Sequence, residues 1–270
     1  MTLLAAAAAM ALAFFIARPG AVSLFRALPD NPWWFIYREA PRATSLEVLW
    51  RIGAALATAA IAAVAAFRSF VLFNNVSSPI LPFLTVFFFS LGLECLRAGT
   101  AYLYAADGSI EAAIVLTRVM YWGRFVGLLG LLCGGLFCID LKYRKYGVLT
   151  AVVFLVSFAM AAYIPIDRTV FLAQLTWKLG DEQGVWFVNL VIGTLAVATS
   201  AGASLARRDC RFIWLAAGFV LLLLSRELLF FAVDPVQLGC GLLSLSGGVV
   251  VCLRTLLALQ QPGKEPGAAM

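Results

Sequence analysis

The chain has 270 residues and contains no histidine. This absence excludes histidine ligation of haem or metal, Ser-His-Asp catalysis and histidine proton relays. The six cysteines include no Cys-x-x-Cys pair, so the sequence indicates neither a redox motif nor a zinc site. It also lacks a Gly-rich phosphate-binding loop. We therefore expect no cofactor and no bound metal.

Charged residues are scarce, at 13% of the chain, whereas hydrophobic residues make up 63%. Soluble domains average about 25% charged and roughly 45–50% apolar residues, so a soluble core would not bury this much apolar surface. Several apolar runs are also long enough to cross about 30 Å of hydrocarbon, which takes roughly 20 helical residues. The sequence therefore predicts an all-α, polytopic transmembrane helical bundle.

We predict about eight spans in a single transmembrane domain, residues 1–260, followed by a short cytoplasmic tail, residues 261–270. The first apolar run also fits the h-region of a signal peptide, and its cleavage would leave seven spans. Prolines mark two boundaries, because Pro79 and Pro82 open the third span and Pro235 follows the seventh. The predicted spans are Leu3 to Ala17, Val48 to Phe67, Ile80 to Ala105, Ala112 to Ile139, Val148 to Ile164, Val185 to Ala206, Phe212 to Val233 and Leu238 to Leu257.

Basic residues cluster in two short loops, after the fourth span and after the sixth, and these loops should be cytoplasmic. With eight spans, both termini are then cytoplasmic. The net charge of +6 is explained by these loops and by anionic lipid headgroups, so we do not expect nucleic-acid binding. We expect a cell-membrane location, the bacterial inner membrane. The expected partners are membrane lipids and a separate membrane or cytoplasmic protein.

Six charged residues within the third, fourth and seventh predicted spans are the best functional lead. An ionised side chain in hydrocarbon costs several kcal/mol unless it is paired or faces a cavity. At about 1.5 Å per residue, most of the six share one depth in the outer half of the bundle, and two of them lie on one helix face one turn apart. They are Glu94 and Arg97 in the third span, Arg118 and Arg124 in the fourth, and Arg226 and Glu227 in the seventh.

If these helices are neighbours, four arginines and two glutamates leave a surplus of two positive charges. Guanidinium groups suit carboxylate or phosphate because they offer a planar, two-pronged donor. The six residues therefore predict an outward-facing Arg/Glu pocket that binds a lipid headgroup or an anionic ligand. The alternative is a set of interhelical ion pairs that only fixes the packing, with Arg118 shallow enough to reach the headgroups.

A stripe of glycines at spacings of four, three and four residues runs along the fourth span. Small residues let another helix approach closely, and we expect the stripe to serve core packing more than dimerisation, and to position the adjacent Arg124. The sixth span offers a comparable small surface. The residues are Gly123, Gly127, Gly130 and Gly134 on the fourth span, and Gly193, Ala196 and Ser200 on the sixth.

Three functions fit these features. The first is a non-enzymatic sensor or accessory subunit, which would signal through a separate protein because the tail is too short to be an output domain. The second is a transporter of an anionic or amphipathic substrate, which broken helices near the charges would favour. The third is a lipid-modifying enzyme that uses Glu94 or Glu227 as a buried carboxylate.

Overall fold

The computed structural model describes residues 45–75, 78–105, 109–139, 146–172, 175–231 and 235–260. It confirms the predicted helical bundle, because seven helical segments of the described residues are long and apolar enough to cross a membrane. The elements are α1 (Ser45–Asn75), α2 (Ile80–Gly92), a 3-10 turn (Leu93–Cys95), α3 (Leu96–Ala105), α4 (Ile110–Cys138), α5 (Tyr146–Tyr163), β1 (Ile166–Leu172), β2 (Thr176–Leu179), α6 (Glu182–Arg207), α7 (Arg211–Phe231) and α8 (Pro235–Gln260).

The predicted span Leu3 to Ala17 and the tail 261–270 lie outside the described residues. The other seven predicted spans agree with the helices to within three residues, except at the end of α1. That helix continues past Phe67 to Asn75, because Arg68 is exposed on its surface and therefore does not interrupt it. Pro235 begins α8, where a first-turn proline loses no helical hydrogen bond.

Helix α4 lies at the centre of the bundle and packs against α2, α5 and α6. Helix α7 packs against α6 and α8, and α1 packs against α2 and α8. Between these helices the core is closely filled by aromatic and aliphatic side chains, including the fully buried Phe83, Phe87, Phe88 and Phe219. In lipid such packing, more than the hydrophobic effect, holds helices together.

The glycine stripe of α4 lies against α2, which confirms the predicted close approach. A Cβ added at Gly123 would lie 2.9 Å from Leu93 Cδ1, and one added at Gly127 would collide with Ser90. The backbones also come close, because a Cβ at Gly130 would lie 3.3 Å from the Phe83 carbonyl oxygen and one at Gly123 would lie 3.4 Å from that of Ser90. This contact places Arg124 beside the 3-10 turn.

A second face of α4, about 100° around the helix from the stripe, makes another close contact, with α6. A Cβ added at Gly135 would lie 2.8 Å from the Ala196 carbonyl oxygen and 3.4 Å from Ser200 Oγ. The small surface predicted on α6 therefore packs against α4, while its Gly193 faces Leu223 of α7. Small residues thus hold α4 between α2 and α6.

A β-hairpin between α5 and α6 was not predicted. Strands β1 and β2 pair antiparallel, with Ile166 opposite Leu179, and Leu175 has a positive φ of 66° at the turn. Hydropathy over span-length windows does not resolve strands of four to seven residues. The hairpin packs on Met120, Tyr121 and Phe230, and we call this the hairpin end of the bundle.

Candidate functional site

The span formed by α2 and α3 is interrupted at one of the predicted site residues. Helix α2 ends at Gly92, the 3-10 turn contains Glu94, and α3 begins at Leu96. A stretch of 3-10 geometry inside a longer helix often marks a hinge or local strain. Glu94 therefore lies where this span departs from regular α-helical geometry.

Three arginines surround the Glu94 carboxylate. Arg124 Nη1 lies 3.3 Å and Arg226 Nε 3.5 Å from Glu94 Oε1, while Arg97 Nη2 lies 3.8 Å from Oε2. None of these four side chains is more than 5% exposed. A single carboxylate thus faces three guanidinium groups in a sealed environment.

Glu227 supplies a second carboxylate from α7. Its Oε1 lies 2.6 Å from Arg124 Nη2, a short, charge-assisted hydrogen bond. Unlike Glu94, the Glu227 side chain is 39% exposed. Arg124 therefore bridges a sealed carboxylate and an accessible one. We call Glu94, Arg97, Arg124, Arg226 and Glu227 the ionic cluster.

The Phe230 ring lies against two of the arginines. The guanidinium carbon of Arg124 is 3.9 Å from the ring centroid and that of Arg97 is 5.1 Å away, both within cation–π range. Arg97 also donates to the carbonyl oxygens of Phe230, at 3.3 Å, and of Glu94, at 3.2 Å. Sequence reasoning missed Phe230, although it follows Arg226 by four residues and so shares its helix face.

Five of the six predicted site residues meet in this cluster, and the expected Glu94–Arg97 pair is confirmed. Arg118 does not join them, because it is exposed and donates to the Ala162 carbonyl oxygen at 3.5 Å. Arg118 precedes Arg124 by six residues, about 240° around a helix of 3.6 residues per turn. Arg118 lies at a similar depth in the bundle but points to a different side of α4, and it faces α5.

The cluster holds three arginines and two glutamates, a surplus of one positive charge instead of the predicted two. A further arginine that sequence reasoning missed, Arg51 of α1, is 8% exposed and close enough to Arg97 for their charges to repel. Arg51 lies near the beginning of a predicted span, where sequence alone does not distinguish a buried arginine from an interfacial one.

A cavity of about 640 Å³ opens beside the cluster at the hairpin end, between α4, α6, α7 and β2. Its accessible charges are the carboxylates of Glu182 and Glu227, whereas Arg124 contributes only a buried guanidinium. Arg97 and Arg226 are not in its wall, so the surplus positive charge does not face this cavity. The polar lining residues are Tyr121, Arg124, Glu182, Gln183, Asn189 and Glu227.

A second cavity of about 470 Å³ continues from the first along α4, α6 and α7. The two share Trp186, Asn189 and Glu227 as common walls. The second is almost entirely apolar, so together they form one groove that is polar at the hairpin end and apolar deeper in the bundle. Its large apolar lining residues are Leu128, Leu190, Val197, Val220, Leu223 and Leu224.

No family model matches the chain, and a search of curated proteins finds no match. The chemistry of the site is therefore what indicates a function. The described residues offer a mostly buried ionic cluster. Beside it, and sharing Glu227 with it, lies an amphipathic groove of a size that suits a lipid-like molecule.

Proposed function

We propose that the protein is a non-enzymatic membrane sensor or accessory subunit that binds one amphipathic lipid. The head group occupies the polar cavity at the hairpin end, and the tail lies in the apolar cavity below it. The observation that carries this proposal is the common wall formed by Trp186, Asn189 and Glu227, which joins a polar and an apolar space into one site.

The apolar cavity matches part of a hydrocarbon chain. Along α6 it extends from Trp186 to Ala198, 12 residues or about 18 Å at 1.5 Å per residue. Its wall contains Gly193 and Thr194 among aliphatic side chains, and these small residues leave room for a ligand where α6 approaches α7. An acyl or isoprenoid chain fits such a surface better than a polar solute does.

The polar cavity favours a head group that donates hydrogen bonds. Glu182 and Glu227 present carboxylate oxygens, which only accept, and Asn189 and Gln183 both donate and accept. Arg124 is already engaged by Glu94 and Glu227. Hydroxyl or amine groups on a lipid therefore find partners here more readily than a bare phosphate does.

The proposal also includes the orientation of the protein in the membrane. Arg207 and Arg208 lie at the end of α6 that is opposite the hairpin end, and the positive-inside rule assigns such basic loops to the cytoplasm. The hairpin end then faces outward in a bacterial inner membrane, with both termini cytoplasmic. A bound lipid would be reported to a separate protein partner across this bundle.

The test is to fill the apolar cavity without disturbing the polar one. Ala198→Phe puts a ring into the groove, whereas Ala151→Phe puts the same ring on the exposed face of α5, outside both cavities. Native mass spectrometry of gently extracted protein should show one retained lipid per wild-type chain and per Ala151→Phe chain. Occupancy should fall at least tenfold in Ala198→Phe. Equal occupancy in both variants would reject the proposal.

Transport of an amphipathic substrate is a second candidate, favoured by one observation. The span that supplies Glu94 changes from α-helical to 3-10 geometry at that residue, beside the other cluster charges, and transporters use irregular helices at their binding sites. Purified protein in liposomes should then move a labelled lipid or amphipathic anion across the bilayer. Flux equal to that of protein-free vesicles would reject transport and leave the binding proposal intact.

A further inference from the structure

The Arg226 side chain in the ionic cluster is only partly satisfied. It is 1% exposed, and its Nε lies 3.5 Å from Glu94 Oε1. Its two terminal nitrogens, Nη1 and Nη2, are buried and have no hydrogen-bond partner among the described residues. Each of these nitrogens carries two N–H donors, so four donors of a buried charged group are without a hydrogen bond to the described part of the chain.

Neither neighbouring carboxylate accepts a hydrogen bond from Arg226 Nη1 or Nη2, and Glu94 Oε2 itself has no hydrogen-bond partner among the described residues. Glu227 is held by Arg124 at 2.6 Å, and Glu94 is shared between Arg97, Arg124 and Arg226. Arg124 is also close enough to repel Arg226 electrostatically. A buried, uncompensated guanidinium is strongly unfavourable at such a position.

We propose that Arg226 binds one small inorganic anion, chloride or an anion of similar size. The anion would accept hydrogen bonds from Nη1 and Nη2 and neutralise the surplus charge of the cluster. Leu222, Leu229 and Phe230 of the same helix are at most 2% exposed, so the Arg226 head group is enclosed by protein, which favours a small ion over a lipid headgroup. Since Arg226 is not in the wall of the lipid cavity, this site is separate from the proposed lipid site.

Equilibrium binding of radiolabelled chloride to the purified full chain tests this inference. Binding is measured in gluconate buffer of constant ionic strength, because gluconate is too large for a closed site. The expected result is saturable binding of one chloride per chain, with competition by bromide. Binding that rises linearly with concentration, as expected when water alone solvates Arg226, would overturn the proposal.

Two arginine variants locate the site. Arg226→Gln removes the proposed donors and should abolish saturable binding, whereas Arg118→Gln removes the same charge from an exposed position and should bind like the wild type. Equal binding by both variants would contradict the assignment to Arg226, as would equal loss.

A third variant keeps the assignment testable if Arg226→Gln does not fold. Glu94→Gln removes a carboxylate that competes with the anion, so half-saturation should occur at a chloride concentration at least tenfold lower. Its folded fraction should also depend more steeply on chloride than that of the wild type. An unchanged or weaker chloride affinity in folded Glu94→Gln would count against an anion beside this cluster.

Discussion

The ionic cluster and the polar cavity share Arg124 and Glu227 but differ in what surrounds their charges. Glu94 is 1% exposed and depends entirely on its arginine partners, whereas Glu182 is exposed and Glu227 is 39% exposed. A sealed charge loses its only stabilisation when its partner is removed, while an exposed one is stabilised by solvent and salt screening. The same substitution should therefore cost folding stability in the cluster and ligand binding in the cavity.

The largest expected effect is that of Glu94→Gln. It leaves Arg97 and Arg226 without a carboxylate partner among the described residues, and breaking a buried ion pair typically costs about 3–5 kcal/mol. The measurement is the free energy of unfolding in mixed micelles, titrated with a denaturing detergent. The matched control is Glu182→Gln, which should change stability by less than about 0.5 kcal/mol. Similar losses in both variants would remove the contrast between the two regions.

The next largest change in the free energy of unfolding is expected where helices α2 and α4 pack beside the ionic cluster. In Gly127→Ala the new Cβ collides with Ser90 and lies 3.3 Å from Phe87 Cδ2, and such overpacking typically costs about 1–3 kcal/mol. In Gly53→Ala the new Cβ meets nothing within 4 Å, so this variant should be neutral or gain up to about 1 kcal/mol from helix propensity. The same unfolding titration measures both, and effects of the same sign would contradict the close contact between α2 and α4.

Glu227→Gln changes one of the two residues that the ionic cluster and the polar cavity share. Because Glu227 is 39% exposed and Arg124 keeps its bond to Glu94, the stability loss should be only about 1 kcal/mol. Lipid occupancy should fall about tenfold, since the polar end of the groove loses its charged acceptor. Unfolding titration and native mass spectrometry separate the two results. Unchanged occupancy together with a stability loss as large as that of Glu94→Gln would place Glu227 in the sealed region.

The smallest expected effect concerns an exposed ion pair in the loop between α6 and α7. Arg211 Nη2 lies 2.8 Å from Asp209 Oδ2, and its hydrogen bonds lower the pKa of Asp209 below the usual value. The pair therefore stabilises the fold above about pH 3.9, the pKa of an unfolded Asp, and this contribution is lost as the pH falls through the lower folded pKa.

The variant Asp209→Asn should accordingly unfold at a slightly lower temperature than the wild type at pH 6, and this difference should be smaller at pH 3. Thermal unfolding in detergent at the two pH values measures this difference. A variant that is less stable by the same margin at both values would show that the Asp209 charge is not responsible.

The parts of the fold predicted from sequence are those set by local patterns along one helix. Seven spans follow from apolar length, the close approach of another helix to α4 follows from the stripe containing Gly123 and Gly127, and the Glu94–Arg97 pair follows from one helical turn. Each of these depends on residues close together in the chain, where helix geometry fixes their relation.

The remaining features of the fold and the site depend on which faces of the helices meet. The spacing of residues along a single helix does not determine this. Arg118 shares a depth with the cluster but faces α5, and Glu182 enters the cavity only because α6 begins beside the hairpin. The 3-10 turn at Glu94 likewise lies in a continuous apolar run with no local signal of a break. Phe230 was missed because its aromatic ring is indistinguishable in sequence from a lipid-facing one.

The most direct test is an experimental structure of the protein in a lipid bilayer, with Ala198→Phe as the comparison. We predict continuous density for one lipid in the wild type, with its chain between Leu190 and Leu223 and its head group within hydrogen-bonding distance of Glu227. That density should be absent in Ala198→Phe while the ionic cluster is unchanged. A wild-type groove closed by protein side chains, or the same lipid density in both structures, would contradict the account.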